Sequence, residues 1–310
     1  MGYCWGRRKL KSNLGNNRSV GRIIKGIGGF YTVESQGALY TLKAAGKFRN
    51  DVKTPLPGDF VEFDPQEGDD GAFDAIRPRR NQLIRPRVAN IDLVFALVSA
   101  RDPAPDYLLL DKLCISAAMM DIQAVAVLNK CDLTDEAAKA TFLDTYRAFT
   151  PLCASHLTGE GMGRLRALAQ GRVSCFAGQS GVGKSSITRA FLPEREEIKV
   201  SGLSQKTRRG RHTTRHAELL SMEEGGGYLV DTPGFSLMEL PLMEPERLKD
   251  YYPEFLPYEG ECRFAGCLHH REPDCAVKAA VEAGSIPRAR WERYGALLAE
   301  AQEKWRKRYE

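Results

Sequence analysis

With 310 residues, 43% hydrophobic and 27% charged, the chain can fill two or three packed domains and is neither disordered nor fibrous in composition. It has no run of eighteen apolar residues, which excludes a membrane-spanning helix, and the basic N-terminus lacks the apolar stretch of a secretory leader. The net charge of +5 is modest but uneven, because Arg7, Arg8, Lys9, Lys11 and Arg18 all precede the first acidic residue, Glu34.

Residues 1–17 show no periodicity and are expected to form a flexible basic arm. From 18 to 82 the pattern is short β-type runs: Gly21–Ile24, Gly29–Val33, Ala38–Leu42, Asp59–Phe63 and Gly71–Ile76. Turn residues such as Pro57-Gly58 and Gly68–Gly71 punctuate them, so a small closed barrel of the OB-fold type is expected. Arg77, Arg79, Arg80, Arg85 and Arg87 follow, either as a solvated hinge or as a strip that contacts phosphates.

Between 83 and 240 strands alternate with helices, which predicts a parallel sheet covered on both faces. The predicted strands are Ile91–Val98, Ala124–Leu128, Val173–Ala177 and Gly226–Val230. Helices are expected over Asp106–Met120, Asp135–Phe149 and Met162–Ala169, and from Ile187 onward. Residues 241–310 are polar and helical around a Cys/His cluster, and end in a charged helix over Pro287–Tyr309.

The stretch Gly178-Gln179-Ser180-Gly181-Val182-Gly183-Lys184-Ser185-Ser186 joins a predicted strand to a predicted helix with the spacing GxxxxGKS. Glycines let consecutive backbone N–H groups turn around a polyphosphate, and the helix N-terminus adds partial positive charge. Lys184 is placed to reach the β- and γ-phosphates, and the Ser185 hydroxyl to hold Mg²⁺. Asn129-Lys130-Cys131-Asp132 matches NKxD at the end of a strand, where open α/β sheets bind ligands. There Asp132 can accept from the two guanine donors that adenine lacks, Asn129 can sit near O6, and the Lys130 stem can pack on the base. Ser155, opening Ser155–Gly161, is expected to supply a backbone N–H to guanine O6. Asp231-Thr232-Pro233-Gly234 matches DxxG, so Asp231 is expected to hold Mg²⁺ through water and the Gly234 N–H to meet the γ-phosphate. The basic segment Lys206–Arg215 is the natural first switch, with Thr213 or Thr214 giving a hydroxyl to Mg²⁺.

Cys262, Cys267, His269 and Cys275 offer three thiolates and an imidazole within fourteen residues, with His270 as the alternative imidazole. A Cys₃His set is a closed structural Zn²⁺ site, and sulfur selects Zn²⁺ over Mg²⁺. The other cysteines, Cys4, Cys114, Cys131, Cys153 and Cys175, are scattered, which suits a reducing cytoplasm rather than a disulfide framework.

In familiar GTPases the phosphate loop comes first; here NKxD and the serine loop precede it, so the domain is circularly permuted. The order barrel, NKxD, serine loop, GxxxxGKS, GRHTT, DTPG and Cys₃His resembles the RsgA (YjeQ) family of small ribosomal subunit maturation GTPases. That resemblance implies an OB-fold before the GTPase and a zinc domain after it. It further implies binding to the small subunit and its 16S-type rRNA, contact with other assembly factors, and GTP hydrolysis that the subunit stimulates. A cytoplasmic monomer with no membrane association is expected. Directly after DxxG stands Phe235, which cannot orient water, so His212 in the first switch is the candidate for that task. The alternatives are a GTP-dependent RNA-binding switch with negligible hydrolysis, favoured by Phe235, and a translation-type factor acting on nucleic acid generally.

Overall fold

The computed structural model describes residues 18–46, 54–65, 71–84, 86–192, 217–222, 226–231 and 240–309. The expected basic arm and the stretch 206–215, with His212, Thr213 and Thr214, lie outside them, as do Thr232 to Gly234 and Phe235. The chain forms two compact units, Met1–Pro78 and Arg79–Glu310.

The first unit is built from β1 (Ser19–Ile27), β2 (Phe30–Ser35), β3 (Ala38–Ala44), β4 (Phe60–Phe63) and β5 (Ala72–Ile76). They close into a barrel in the order β1-β2-β3-β5-β4, with β1 also paired to β4 and only the β3–β5 pair parallel. Alternation along the strands turns Ile23, Val33, Leu42, Val61, Phe63 and Phe73 inward, where they form the barrel core. Tyr31 and Tyr40 close it with edge-on contacts to Phe73 and Phe63. Closure removes the free sheet edges that a five-stranded open sheet would expose. The result is the expected OB-like barrel.

The second unit opens with a short ladder, β6 (Gln82–Leu83) and β7 (Val88–Ala89). A six-stranded sheet follows: β8 (Leu93–Ser99), β9 (Gln123–Asn129), β10 (Leu152–Ala154), β11 (Val173–Gly178), β12 (Glu218–Ser221) and β13 (Tyr228–Asp231). Its order is β10-β9-β8-β11-β13-β12. Five strands are parallel as expected, but β12 runs antiparallel to β13. The connection between these two is too short for a crossover helix, so it can only turn back as a hairpin.

Helices α1 (Tyr107–Met119), α2 (Glu136–Thr145), α3 (Met162–Ala169) and α4 (Lys184–Phe191) connect the parallel strands and the phosphate loop. Asp106 caps α1 by accepting from the Leu109 N–H at 2.9 Å, and Asp135 caps α2 through Ala138 at 2.8 Å. Leu93, Phe95 and Leu97 share a core with Met162, Leu165, Ile187 and Phe191 from α3 and α4. The alternate residues Val94, Ala96 and Val98 are equally buried, on the face where α1 packs against β8 and β9. Burial on both faces explains why β8 reads as a continuous apolar run.

The segment after Leu240 carries α5 (Ala276–Glu282) and α6 (Arg288–Arg306). It lies in the same compact unit as the sheet, because Ile115 of α1 shares a core with Leu248, Tyr252, Phe255, Val277 and Leu297. A buried charge network crosses this junction. Arg290 of α6 makes an ion pair with Asp111 of α1 at 2.6 Å and donates to Glu254 at 2.7 Å. Asp111 also accepts from Arg293 at 2.6 Å and from the Tyr146 hydroxyl at 2.7 Å. The Arg290 guanidinium stands over the Tyr252, Phe149 and Tyr146 rings. The arginines after the barrel are partly engaged: Arg77 with Glu62 at 3.0 Å and Arg80 with Asp92 at 2.6 Å.

Candidate nucleotide site and metal cluster

Parallel register brings separate motifs to one rim. Gly178 pairs with Leu97, Ser99 with Asn129, and Asn129 with Ala154, so the C-terminal ends of β11, β8, β9 and β10 lie side by side. The phosphate loop leaves β11 at Gly178 and enters α4 at Lys184, with Gly183 at the N-cap. Two of its glycines are obligatory. Gly178 has φ 149° and a Cβ there would lie 2.5 Å from the Leu97 carbonyl oxygen; at Gly183, φ 103°, a Cβ would overlap the Asn129 amide.

The tightness at Gly183 has a purpose. Asn129 Nδ2 donates to the Val182 carbonyl at 2.7 Å, tying NKxD to the phosphate loop, while its Oδ1 is buried with no partner among the described residues. Lys130 takes a left-handed backbone, φ 56°, and its ammonium donates to the Asp102 carbonyl. Asp132 lies exposed in the turn Cys131–Leu133 that follows. Gln179 Nε2 reaches across to the Ala104 carbonyl at 3.1 Å. Lys184 Nζ donates at 2.7 Å to the carbonyls of both Gly178 and Gln179, and burial holds its ammonium below the usual lysine range. Ser185 is exposed in the first turn of α4, as is Ser180 in the loop, and Asp231 is exposed at the end of β13.

One expectation changes. The Ser155 N–H does not face outward; it donates to the Glu160 carbonyl at 2.9 Å, closing its own loop, and the Ser155 hydroxyl accepts from Thr158 at 3.3 Å. A loop this short satisfies its buried amides internally, which leaves the Ser155 N–H engaged within the loop.

The second cluster lies in the C-terminal segment. Ligand atoms of Cys262, Cys267, His269 and Cys275 all fall within 4.8 Å of one another. His269 Nδ1 is 3.4 Å from Cys262 Sγ and 3.5 Å from Cys275 Sγ, and the two sulfurs are 3.9 Å apart. A tetrahedral ion with ~2.3 Å bonds to sulfur separates its ligand atoms by roughly 3.8 Å, so the donor set fits Zn²⁺. Burial, then Lys249, lowers the His269 pKa and favours the neutral ring that ligates. His270 faces elsewhere, its ring against Trp291 and within 2.5 Å of where a Gly295 Cβ would stand.

The cluster is braced from outside. Trp291 Nε1 donates to the His269 carbonyl at 2.7 Å and the Tyr294 hydroxyl to that of Leu268 at 2.6 Å. Glu272 accepts from the N–H groups of Leu268, His270 and Arg271. Burial alone would raise its carboxyl, but these bonds outweigh it and hold the pKa at about 2.

Residues 76–241 match the family model described as RsgA GTPase, which covers more than half of the chain. The chain belongs to the RsgA GTPase family. Residues 20–73 match the RsgA N-terminal domain. A small ribosomal subunit biogenesis GTPase RsgA from Moorella thermoacetica is 44% identical over 90% of this chain and 96% of its own length. The protein of the same name from a Geobacillus species is 42% identical over 92% and 98%. Among solved structures, YjeQ from Thermotoga maritima superposes with a TM-score of 0.78 at 35% identity, covering 92% of this chain and 99% of its own. YloQ, described as a circularly permuted GTPase, gives 0.77 at 30% identity over 96% and 99%. The permuted order read from the motifs agrees with that description.

Proposed function

We propose that the chain binds GTP with Mg²⁺ at the rim formed by Gly178–Ser186, Asn129–Asp132 and the Ser155 loop. It then hydrolyses GTP to GDP and phosphate on the small ribosomal subunit, in late maturation of that subunit. The observation that carries this is the bond from Asn129 to Val182. It joins a base-reading segment to a phosphate-holding loop 53 residues away and leaves Asn129 Oδ1 buried with no partner among the described residues.

In this reading Lys184 exchanges the Gly178 and Gln179 carbonyls for phosphate oxygens, and the loop N–H groups from Gln179 to Lys184 surround them. Mg²⁺, held by Ser185 and through water by Asp231, would neutralise phosphate charge. Asp132 reads guanine, Lys130 covers the base and the His156 amide meets O6. Thr213 or Thr214, Gly234 and the water-orienting His212, all outside the described residues, keep their expected roles. The Cys₃His cluster holds one structural Zn²⁺. The protein acts as a cytoplasmic monomer, divided into arm 1–17, barrel 18–82, GTPase 83–240 and zinc segment 241–310. Names of the relatives support the subunit as partner. The barrel supports RNA contact, since Arg22 and Lys43 stand over the Phe60 and Phe30 rings, and Phe30 is exposed.

The test is GTP turnover by the full chain with and without purified small subunits at fixed ionic strength. Slow turnover alone and faster turnover with subunits is expected, and His212→Ala should lower the stimulated rate far more than GTP affinity. Equal rates would reject the subunit as the stimulating partner.

A further inference from the structure

Two segments must meet one rigid base: the turn carrying Asp132 and the loop opening at Ser155. Their strands β9 and β10 are registered only as far as the Asn129–Ala154 pair. Beyond that pair, one residue gathers the bonds among the described residues. Glu160 accepts the Ser155 N–H on its carbonyl at 2.9 Å and accepts Lys139 Nζ on both carboxylate oxygens, at 3.1 and 3.2 Å. Lys139 stands on α2, the helix entered directly from the Asn129–Asp132 segment. Its side chain is 11% exposed, and it also reaches Glu136, whose side chain is 88% exposed.

The thiol of Cys131, fully buried, is coupled electrostatically to the same carboxylate. Burial first, and then the Glu160 carboxylate, push the thiol up to about 12, so it remains neutral. Lys139, then Cys131, hold the Glu160 carboxyl below the usual range. Cys131 occupies the one NKxD position without a duty toward the base.

We propose that Glu160 and Lys139 form a clasp that fixes the distance between the Asp132 turn and the Ser155 loop, making both positioning residues for guanine recognition. This rests on the assignment of the base to those two segments. A rigid purine tolerates only ~0.5 Å of misplacement at the groups that read it. The Glu160 side chain is 45% exposed, so its ion pair adds little to global stability. Loss of the clasp should therefore loosen nucleotide binding and leave the fold intact.

The experiment measures GDP and GTP dissociation rates, single-turnover hydrolysis and thermal stability for Glu160→Gln, Lys139→Met and the charge swap Lys139→Glu/Glu160→Lys. Glu136→Gln serves as control and Asp132→Asn is run alongside. Each of the two single clasp variants should release guanine nucleotides on the order of fivefold faster, with Tm and the single-turnover rate at saturating GTP near wild type. The swap should restore most of the retention, and Glu136→Gln should be silent. Wild-type dissociation in both single variants overturns the clasp, as does faster dissociation that merely tracks a fall in Tm. If Asp132→Asn moves preference to xanthine nucleotides while the Glu160 and Lys139 variants stay silent, the clasp alone fails. If Asp132→Asn keeps guanine preference, the base assignment fails and the clasp with it.

Discussion

Replacing Arg290 with Met keeps the apolar stem but leaves two carboxylates behind in the junction between α1 and α6. Arg290 is fully buried, as is Asp111, and the Glu254 side chain is 7% exposed. Asp111 retains Arg293 and the Tyr146 hydroxyl, but Glu254 loses the guanidinium that neutralises it. Removing one partner of a buried pair costs about 3–5 kcal/mol, because the remaining charge is neither paired nor solvated. An exposed pair such as Arg147–Asp144, with side chains 54% and 66% exposed, is worth ~0–1 kcal/mol. Arg290→Met should therefore raise the unfolding equilibrium constant by a factor of roughly 10² to 5 × 10³. The assay is urea unfolding of the full chain followed by tryptophan fluorescence, since Trp291 and Trp305 both lie on α6. The double variant Arg290→Met/Glu254→Leu, which removes the stranded carboxylate too, should recover much of the loss. A loss below ~1 kcal/mol, or no recovery in the double variant, would refute the burial argument.

Asp132→Asn should shift preference from guanine toward xanthine nucleotides, because a site that hydrogen-bonds its ligand discriminates by ~10⁴-fold in favourable cases; competition binding measures it, and unchanged GTP affinity rejects the assignment. Lys184→Ala or Ser185→Ala should remove most nucleotide binding or hydrolysis with Tm unchanged, since neither side chain belongs to an apolar core. Metal analysis should find about one Zn²⁺ per chain, and Cys262→Ser, Cys267→Ser or Cys275→Ser should loosen the C-terminal segment. Burial pushes the Cys267 thiol up to about 12 and the Cys275 thiol above its usual value, so a cation must displace their protons to bind. Zinc retention should accordingly weaken as pH falls, by about tenfold per pH unit for each proton displaced, and pH-independent retention would contradict thiolate ligation.

The parts legible in the sequence were those governed by local backbone geometry or ligand chemistry. Gly178 to Lys184 is a strand–loop–helix passage whose glycines are demanded within the loop itself. The Cys₃His spacing reports a donor set wherever it folds, and the order of motifs carried the permutation into the sheet unchanged. The barrel followed from alternation, since period-two strands of that length have few other ways to bury one face. Other features depended on neighbours distant in sequence. Arg290 looks like one more charge on a polar helix; its burial is decided by Asp111, on a helix far earlier in the chain. His269 and His270 are the same residue type side by side, and only the left-handed turn at His269, φ 58°, with Trp291 and Gly295 beside His270, separates ligand from packing group. The engaged Ser155 amide and the Glu160–Lys139 pair likewise appear only when β9 and β10 lie together. Sequence alone determined which chemistry is present, because phosphate-loop glycines, NKxD and thiol ligands are defined by short-range spacing. Tertiary structure decided which polar groups are buried and what they face, because desolvation and pairing depend on elements that meet only once the chain has folded.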